Sequence, residues 1–149
     1  MTLLGPGEGT RMTALGSTYT TKAVGGSYWL VEEEFWGETT PLHTHTSAEE
    51  AFYVLSGRAA VWLDGHESEA GPGSFLFVPR GRPHALRRLT DESVQLLTLV
   101  SPPGMQRFFE AVVATGEEEL LADPDRLMEL AARHGTTILG DHPALGRPT

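Results

Sequence analysis

The chain has 149 residues, with 11 Lys/Arg against 20 Asp/Glu, a formal charge of -9 and no cysteine. That length suits one compact domain with its own core, the acidic balance disfavours a polyanion such as nucleic acid as partner, and the lack of thiols excludes disulfides and thiolate metal ligands. No apolar run reaches the ~20 residues that span a bilayer, and Met1-Thr2-Leu3-Leu4-Gly5-Pro6 lacks a basic region followed by a long apolar one, so no membrane partner and a cytoplasmic location are expected.

Residues 1–10 and 141–149 are rich in Gly and Pro and predict loose ends. Between them, short extended segments come first. Ser27 to Trp36 is aromatic and β-branched, follows Gly25-Gly26 and stops at Gly37, which predicts a strand. Glu50 to Leu55 and Ala59 to Leu63 flank Ser56-Gly57-Arg58, and Asp64-Gly65 is a turn signal before Glu67 to Ala70. Phe75 to Pro79, Pro83 to Arg88 and Val94 to Val100 complete the series, broken by Gly71-Pro72-Gly73 and Arg80-Gly81-Arg82. Evenly spaced short strands predict an all-β sandwich or barrel. After Pro102-Pro103-Gly104 the spacing becomes helical: Met105, Phe108, Phe109, Val112 and Val113 share a face that would cover the β core. Leu120-Leu121 adds a turn of helix. A further helix is signalled by Asp123 as cap, Pro124 at its first position, apolar Leu127, Leu130 and Ala131, and Gly135 as stop.

The chemistry-bearing residues are His43, His45, Glu50 and His84. Three imidazoles and a carboxylate are a donor set for one divalent transition metal, Fe, Mn, Ni, Co, Cu or Zn. His43 and His45 are two apart, so on a strand both leave one face and can share an ion. A hairpin loop over Thr46-Ser47-Ala48-Glu49 would return Glu50 opposite His45; Phe52 and Val54 then face inward by alternation and form an apolar wall, which Ala59, Val61 and Leu63 extend. Phe75 and Phe77 are further candidates for the pocket, with core packing as the alternative, as for Trp29 and Trp36. Arg80, Arg82, Arg87 and Arg88 form a basic cluster beside His84 that reads as solvated charge, with Arg88 a possible anchor for an anionic or phenolate ligand. Glu49, His66, His134 and His142 read as surface residues. Gln95 interrupts an apolar strand, and parity alone does not decide its face.

The spacing of these residues resembles the cupin family. Gly37, five residues, His43, one residue, His45, four residues, Glu50, six residues and Gly57 resemble the first cupin motif; Gly73, five residues, Pro79, one residue, Gly81, two residues and His84 resemble the second. The pattern departs at Arg88, where the family usually has Asn after three intervening residues beyond the last His. The stretch Glu50 to Gly57, Phe108-Phe109 and Ile138-Leu139-Gly140 further resemble bacterial single-domain cupins of the quercetin-dioxygenase-like kind. The resemblance implies a jelly-roll barrel over about residues 27–101 with C-terminal helices (about 103–140) packed outside, one domain over 1–149, one metal per chain and a homodimer. It also implies a metal-dependent dioxygenase of a small aromatic or enolic, flavonol-like substrate, with Glu50 as the base that takes the substrate hydroxyl proton. A metal-dependent isomerase or hydrolase and a non-catalytic small-molecule-binding cupin are the alternatives.

Overall fold

The computed structural model describes residues 1–146. Among the described residues, eleven strands form two antiparallel sheets: β1 (Thr10–Ala14), β2 (Ser17–Val24), β3 (Trp29–Phe35), β4 (Leu42–His45), β5 (Glu49–Ser56), β6 (Ala59–Leu63), β7 (His66–Ala70), β8 (Phe75–Val78), β9 (His84–Arg88), β10 (Val94–Ser101) and β11 (Thr136–Gly140). One sheet has the order β1-β2-β3-β10-β5-β8, the other β11-β4-β9-β6-β7. Three helices, α1 (Met105–Thr115), α2 (Glu117–Ala122) and α3 (Pro124–Arg133), follow β10. The fold is the expected jelly roll with C-terminal helices.

Alternation explains how the sheets close on one another. On β3, Trp29, Val31, Glu33 and Phe35 are buried while Leu30, Glu32 and Glu34 are only partly so. On β10, Val94, Leu96, Thr98 and Val100 repeat the pattern, and β10 pairs with β3 along all of β3. Two apolar clusters result. One joins Trp29, Val31 and Val100 to Tyr19 and to Met105, Phe108, Phe109 and Val112 of α1; the other packs Phe35, Phe52, Val54, Val61, Leu86 and Leu96 inside the barrel. Tyr19 stacks on Phe109 with ring centroids 4.4 Å apart, so burial of the apolar face of α1 holds the helical segment against the barrel. The cap on α3 is as expected: the Asp123 carboxylate accepts from the Arg126 N–H, and Pro124 stands at the first helical position. The turn between β6 and β7 places both Asp64 and Gly65 at positive φ, the geometry a two-residue hairpin with right-handed twist requires.

Three segments differ from the sequence expectation. β1 and β2 occupy a region with no strand expectation and partly overlap the supposedly loose first ten residues, and β11 follows the last helix. β4 and β5 are not a hairpin. Thr46 to Ala48 carries the chain from one sheet to the other, so His45 and Glu50 meet across the barrel interior and not across a ladder.

Candidate metal centre and cavity

Each of the four donors is placed by a different local device. β4 lies between β9 and β11, with His43 in register with His84 and His45 in register with Thr136. The second motif is tied to the first by the Gly81 N–H, which donates to the His45 carbonyl at 2.8 Å. Glu50 begins the inward positions of β5, followed by Phe52 and Val54; its neighbour Glu49 faces solvent. His45, Glu50 and His84 are buried and His43 is partly exposed.

The imidazoles are oriented by their Nδ1 atoms. Those of His43 and His84 donate to the carbonyls of Pro41 (2.8 Å) and Arg82 (3.0 Å), and that of His45 is hydrogen-bonded to Thr136 Oγ1 at 3.0 Å. All three rings therefore turn Nε2 away from these anchors, as the outer hydrogen bonds of metal-binding histidines do. Nε2 of His45 and of His84 lie 3.1 and 3.2 Å from Glu50 Oε2. One donor atom from each of the four residues falls within 4.8 Å of all the others. An ion at ~2.0–2.2 Å from each donor would separate neighbouring donors by roughly 3 Å and opposite ones by a little over 4 Å, so the cluster is suited to binding a divalent ion.

The charges within the cluster are interdependent. Burial alone would raise the Glu50 pKa, but the adjacent His45 and His84 override it and hold the carboxylate well below its ordinary range. Burial likewise opposes charge on His84, yet the hydrogen bond to Glu50 leaves its pKa raised. His43 has no such partner: desolvation first, then the neighbouring His84 and His45, push it down to about 3, which leaves a neutral ring able to offer a lone pair.

The cluster opens on a cavity of about 610 Å³. Phe52 and Leu86 of the barrel and Phe108 and Phe109 of α1 contribute apolar wall, and Trp36 and Leu121 lie at its partly exposed rim. The helices thus form part of the cavity as well as covering the core. Ser17, Tyr19 and Glu33 supply a polar stretch of the lining. The Glu33 carboxyl is pushed up to about 7, by burial first and by the charge of Glu50 next, with hydrogen bonds to Ser17 and Thr98 acting in the opposite direction.

Of the residues expected around the pocket, Phe52 lines it, whereas Val54 lies deeper in the barrel core. Phe75 and Phe77 are corrected: they are 66% and 45% exposed on the outer face of β8, because Leu76 and Val78 take the inward positions. Arg88 is also corrected. Its guanidinium donates to the carbonyls of Gly37, Thr90 and Asp91 and closes a loop instead of facing the cavity. Arg82 forms a forked pair with Asp64 and Arg87 pairs with Glu67, while Gln95 turns outward to Ser93. His66 is exposed and His134 half-buried against Phe108; His142 is only 2% exposed, with Nδ1 accepting from the Ala144 N–H and a pKa lowered by burial. The sequence reading missed Glu33, Ser17, Thr98 and Thr136. Inward parity with Trp29, Val31 and Phe35 is the signal that could have found Glu33.

Residues 36–100 match the family model described as the Cupin domain. The quercetin 2,3-dioxygenase of Bacillus subtilis is 33% identical over 70 residues, 47% of this chain and 20% of that enzyme. Across the curated relatives it matches, the chain spans between 20% and 61% of their length. Among solved structures, KdgF from a Halomonas species superposes with a TM-score of 0.62 at 22% identity, covering 69% of this chain and 94% of that one. The polyketide cyclase RemF from Streptomyces resistomycificus gives 0.57 at 26% identity, covering 69% and 82%. No helix among the described residues is long and apolar enough to cross a membrane.

Proposed function

We propose that this chain, whose residues 36–100 match the family model described as the Cupin domain, is a metal-dependent oxidoreductase of the cupin kind, a dioxygenase of a small aromatic or enolic, flavonol-like substrate. The observation that carries this reading is the four-donor cluster opening on an apolar cavity whose volume falls in the ~300–1,000 Å³ range of small-molecule sites. The partial likeness to a quercetin dioxygenase supports it.

His43, His45, Glu50 and His84 would hold one divalent ion, leaving two positions of an octahedral shell open. The ion would supply Lewis acidity, lowering the pKa of a substrate hydroxyl placed against it. Glu50 is the proton acceptor. In this reading both imidazole contacts fall on Oε2, which leaves Oε1 without one and available to take the proton. Phe52, Phe108 and Phe109 would orient a planar substrate and keep water from its reacting edge.

Oxygen-electrode assays of metal-loaded protein with quercetin test the reading. The expected result is substrate loss coupled to oxygen uptake, falling roughly 100-fold or more in Glu50→Ala protein that retains its metal, the scale of a lost general base. Equal turnover without oxygen would replace this reading by isomerisation or hydrolysis.

The exposed apolar face around Tyr53, Leu55, Phe75 and Phe77 supports a homodimer formed through the outer face of β5 and the edge strand β8. Sedimentation should give a dimer for the wild type and a monomer for the Phe75→Asp/Phe77→Asp variant. A wild-type monomer contradicts this assembly.

A further inference from the structure

Glu33 occupies a position where its strand otherwise carries apolar side chains. It is 6% exposed, and the other inward residues of β3, Trp29, Val31 and Phe35, are fully buried. Thr98 interrupts β10 in the same way between Leu96 and Val100, and Ser17 is a third buried polar residue, on β2. Their hydroxyls converge on the one carboxyl: Ser17 Oγ donates to Oε1 at 2.8 Å, and Thr98 Oγ1 to Oε2 at 2.9 Å. Glu33 thus stands at the border between the two apolar clusters, where burying a carboxyl costs free energy that two hydroxyl hydrogen bonds only partly offset.

Nothing in the packing requires that carboxyl. An apolar residue of similar size would fill the volume, and Glu33 makes no hydrogen bond to the His/Glu cluster. It does line the same cavity, beside Ser17 and Tyr19, while Thr98 lies behind it. Ser17 and Thr98 occupy one site on each oxygen and Tyr19 also acts on the carboxyl, so of the roughly four acceptor sites of an ionised carboxylate at least one stays open to a ligand.

We infer that Glu33 is a second anchor in the cavity, hydrogen-bonding a ligand hydroxyl other than the one that meets the His43, His45, Glu50 and His84 cluster. The inference rests on the proposal that a small aromatic or enolic molecule occupies the cavity, and adds to it that the molecule is hydroxylated away from its reacting edge. The carboxyl is suited to a neutral hydroxyl: with its pKa pushed up to about 7 by burial first and the charge of Glu50 next, against hydrogen bonds from Ser17, Thr98 and Tyr19, it can accept or donate near neutral pH.

The test is a titration of the purified full chain, followed by quenching of tryptophan fluorescence. One probe is quercetin, with several hydroxyls beyond its 3-hydroxy-4-keto edge; the other is 3-hydroxyflavone, with that edge alone. The wild type is expected to bind quercetin about tenfold more tightly than 3-hydroxyflavone, the scale of one hydrogen bond to a buried polar partner. Glu33→Leu should bring the two affinities together by weakening quercetin alone. Glu33→Met, of near-equal volume, reads the same quantity should Glu33→Leu fail to fold. Equal binding of both probes by the wild type, or a preference that survives substitution, overturns the inference and leaves the cavity reading standing. Failure of both probes to bind the wild type overturns both.

Discussion

Replacing His84 with alanine is expected to weaken divalent transition-metal binding by at least about 100-fold, since even the residues that merely orient metal-binding histidines are worth roughly 10–100-fold. His84 is buried, its Nδ1 is fixed by the Arg82 carbonyl, and its Nε2 lies 3.2 Å from Glu50 Oε2. Its removal leaves three donors and an unfilled volume at the base of the cavity. It also deprives Glu50 of one of the two imidazoles that hold its carboxylate ionised, so the pKa of that residue climbs. Competition titration against a chromophoric chelator measures the loss. His66→Ala, which alters an exposed residue on β7 outside the cluster, should bind as the wild type does. Equal affinities for His84→Ala and wild type would remove His84 from the metal centre.

Glu33→Gln should change the pH dependence of folding by on the order of 3 kcal/mol. The folded state holds the Glu33 proton up to about pH 7, against an ordinary value of 4.5. Between those values the folded protein binds more protons than the unfolded chain, so the wild type loses stability as pH rises through that window. Glutamine cannot titrate and retains an oxygen for Ser17 or Thr98. The variant is therefore expected to gain on the wild type between pH 4.5 and pH 8, with the larger advantage at the alkaline end. Denaturant unfolding at both limits reads the difference directly. Wild-type and variant stabilities that run parallel across the range would show that Glu33 titrates in its ordinary range.

Much of the barrel is legible in the chain because its strands alternate cleanly and are separated by residues that turn. Ala59 to Leu63 with Asp64-Gly65 is one case, and Val94 to Val100 another. β2 escaped notice because Ser17-Thr18-Tyr19-Thr20-Thr21 is polar at nearly every position: its inward side presents hydroxyls, and no apolar stripe announces it. β11 is short and ends in glycine, and it exists through its pairing with β4, a contact between residues about ninety positions apart. Phe75-Leu76-Phe77-Val78 is apolar on both faces, so alternation cannot say which side turns inward.

The four donors could be named because residue type and spacing converge on one chemistry. The route that joins them was not legible: a hairpin and a crossover between sheets both bring Glu50 near His45, and only the strand order tells them apart. Glu33 was hidden by its neighbours. In Glu32-Glu33-Glu34 the run of acidic residues suggests a solvated surface, whereas the pleat buries the middle one and leaves its neighbours only partly covered.

In the proposed centre His43, His45, Glu50 and His84 together hold one divalent metal in the cavity. Crystals of protein loaded with a transition metal, measured at the absorption edge of that metal, test it most directly. The expected anomalous difference map shows one peak per chain within ~2.0–2.3 Å of three imidazole Nε2 atoms and a Glu50 oxygen. A map with no peak there, or with its principal peak bound by other residues, would exclude these four residues as the metal centre.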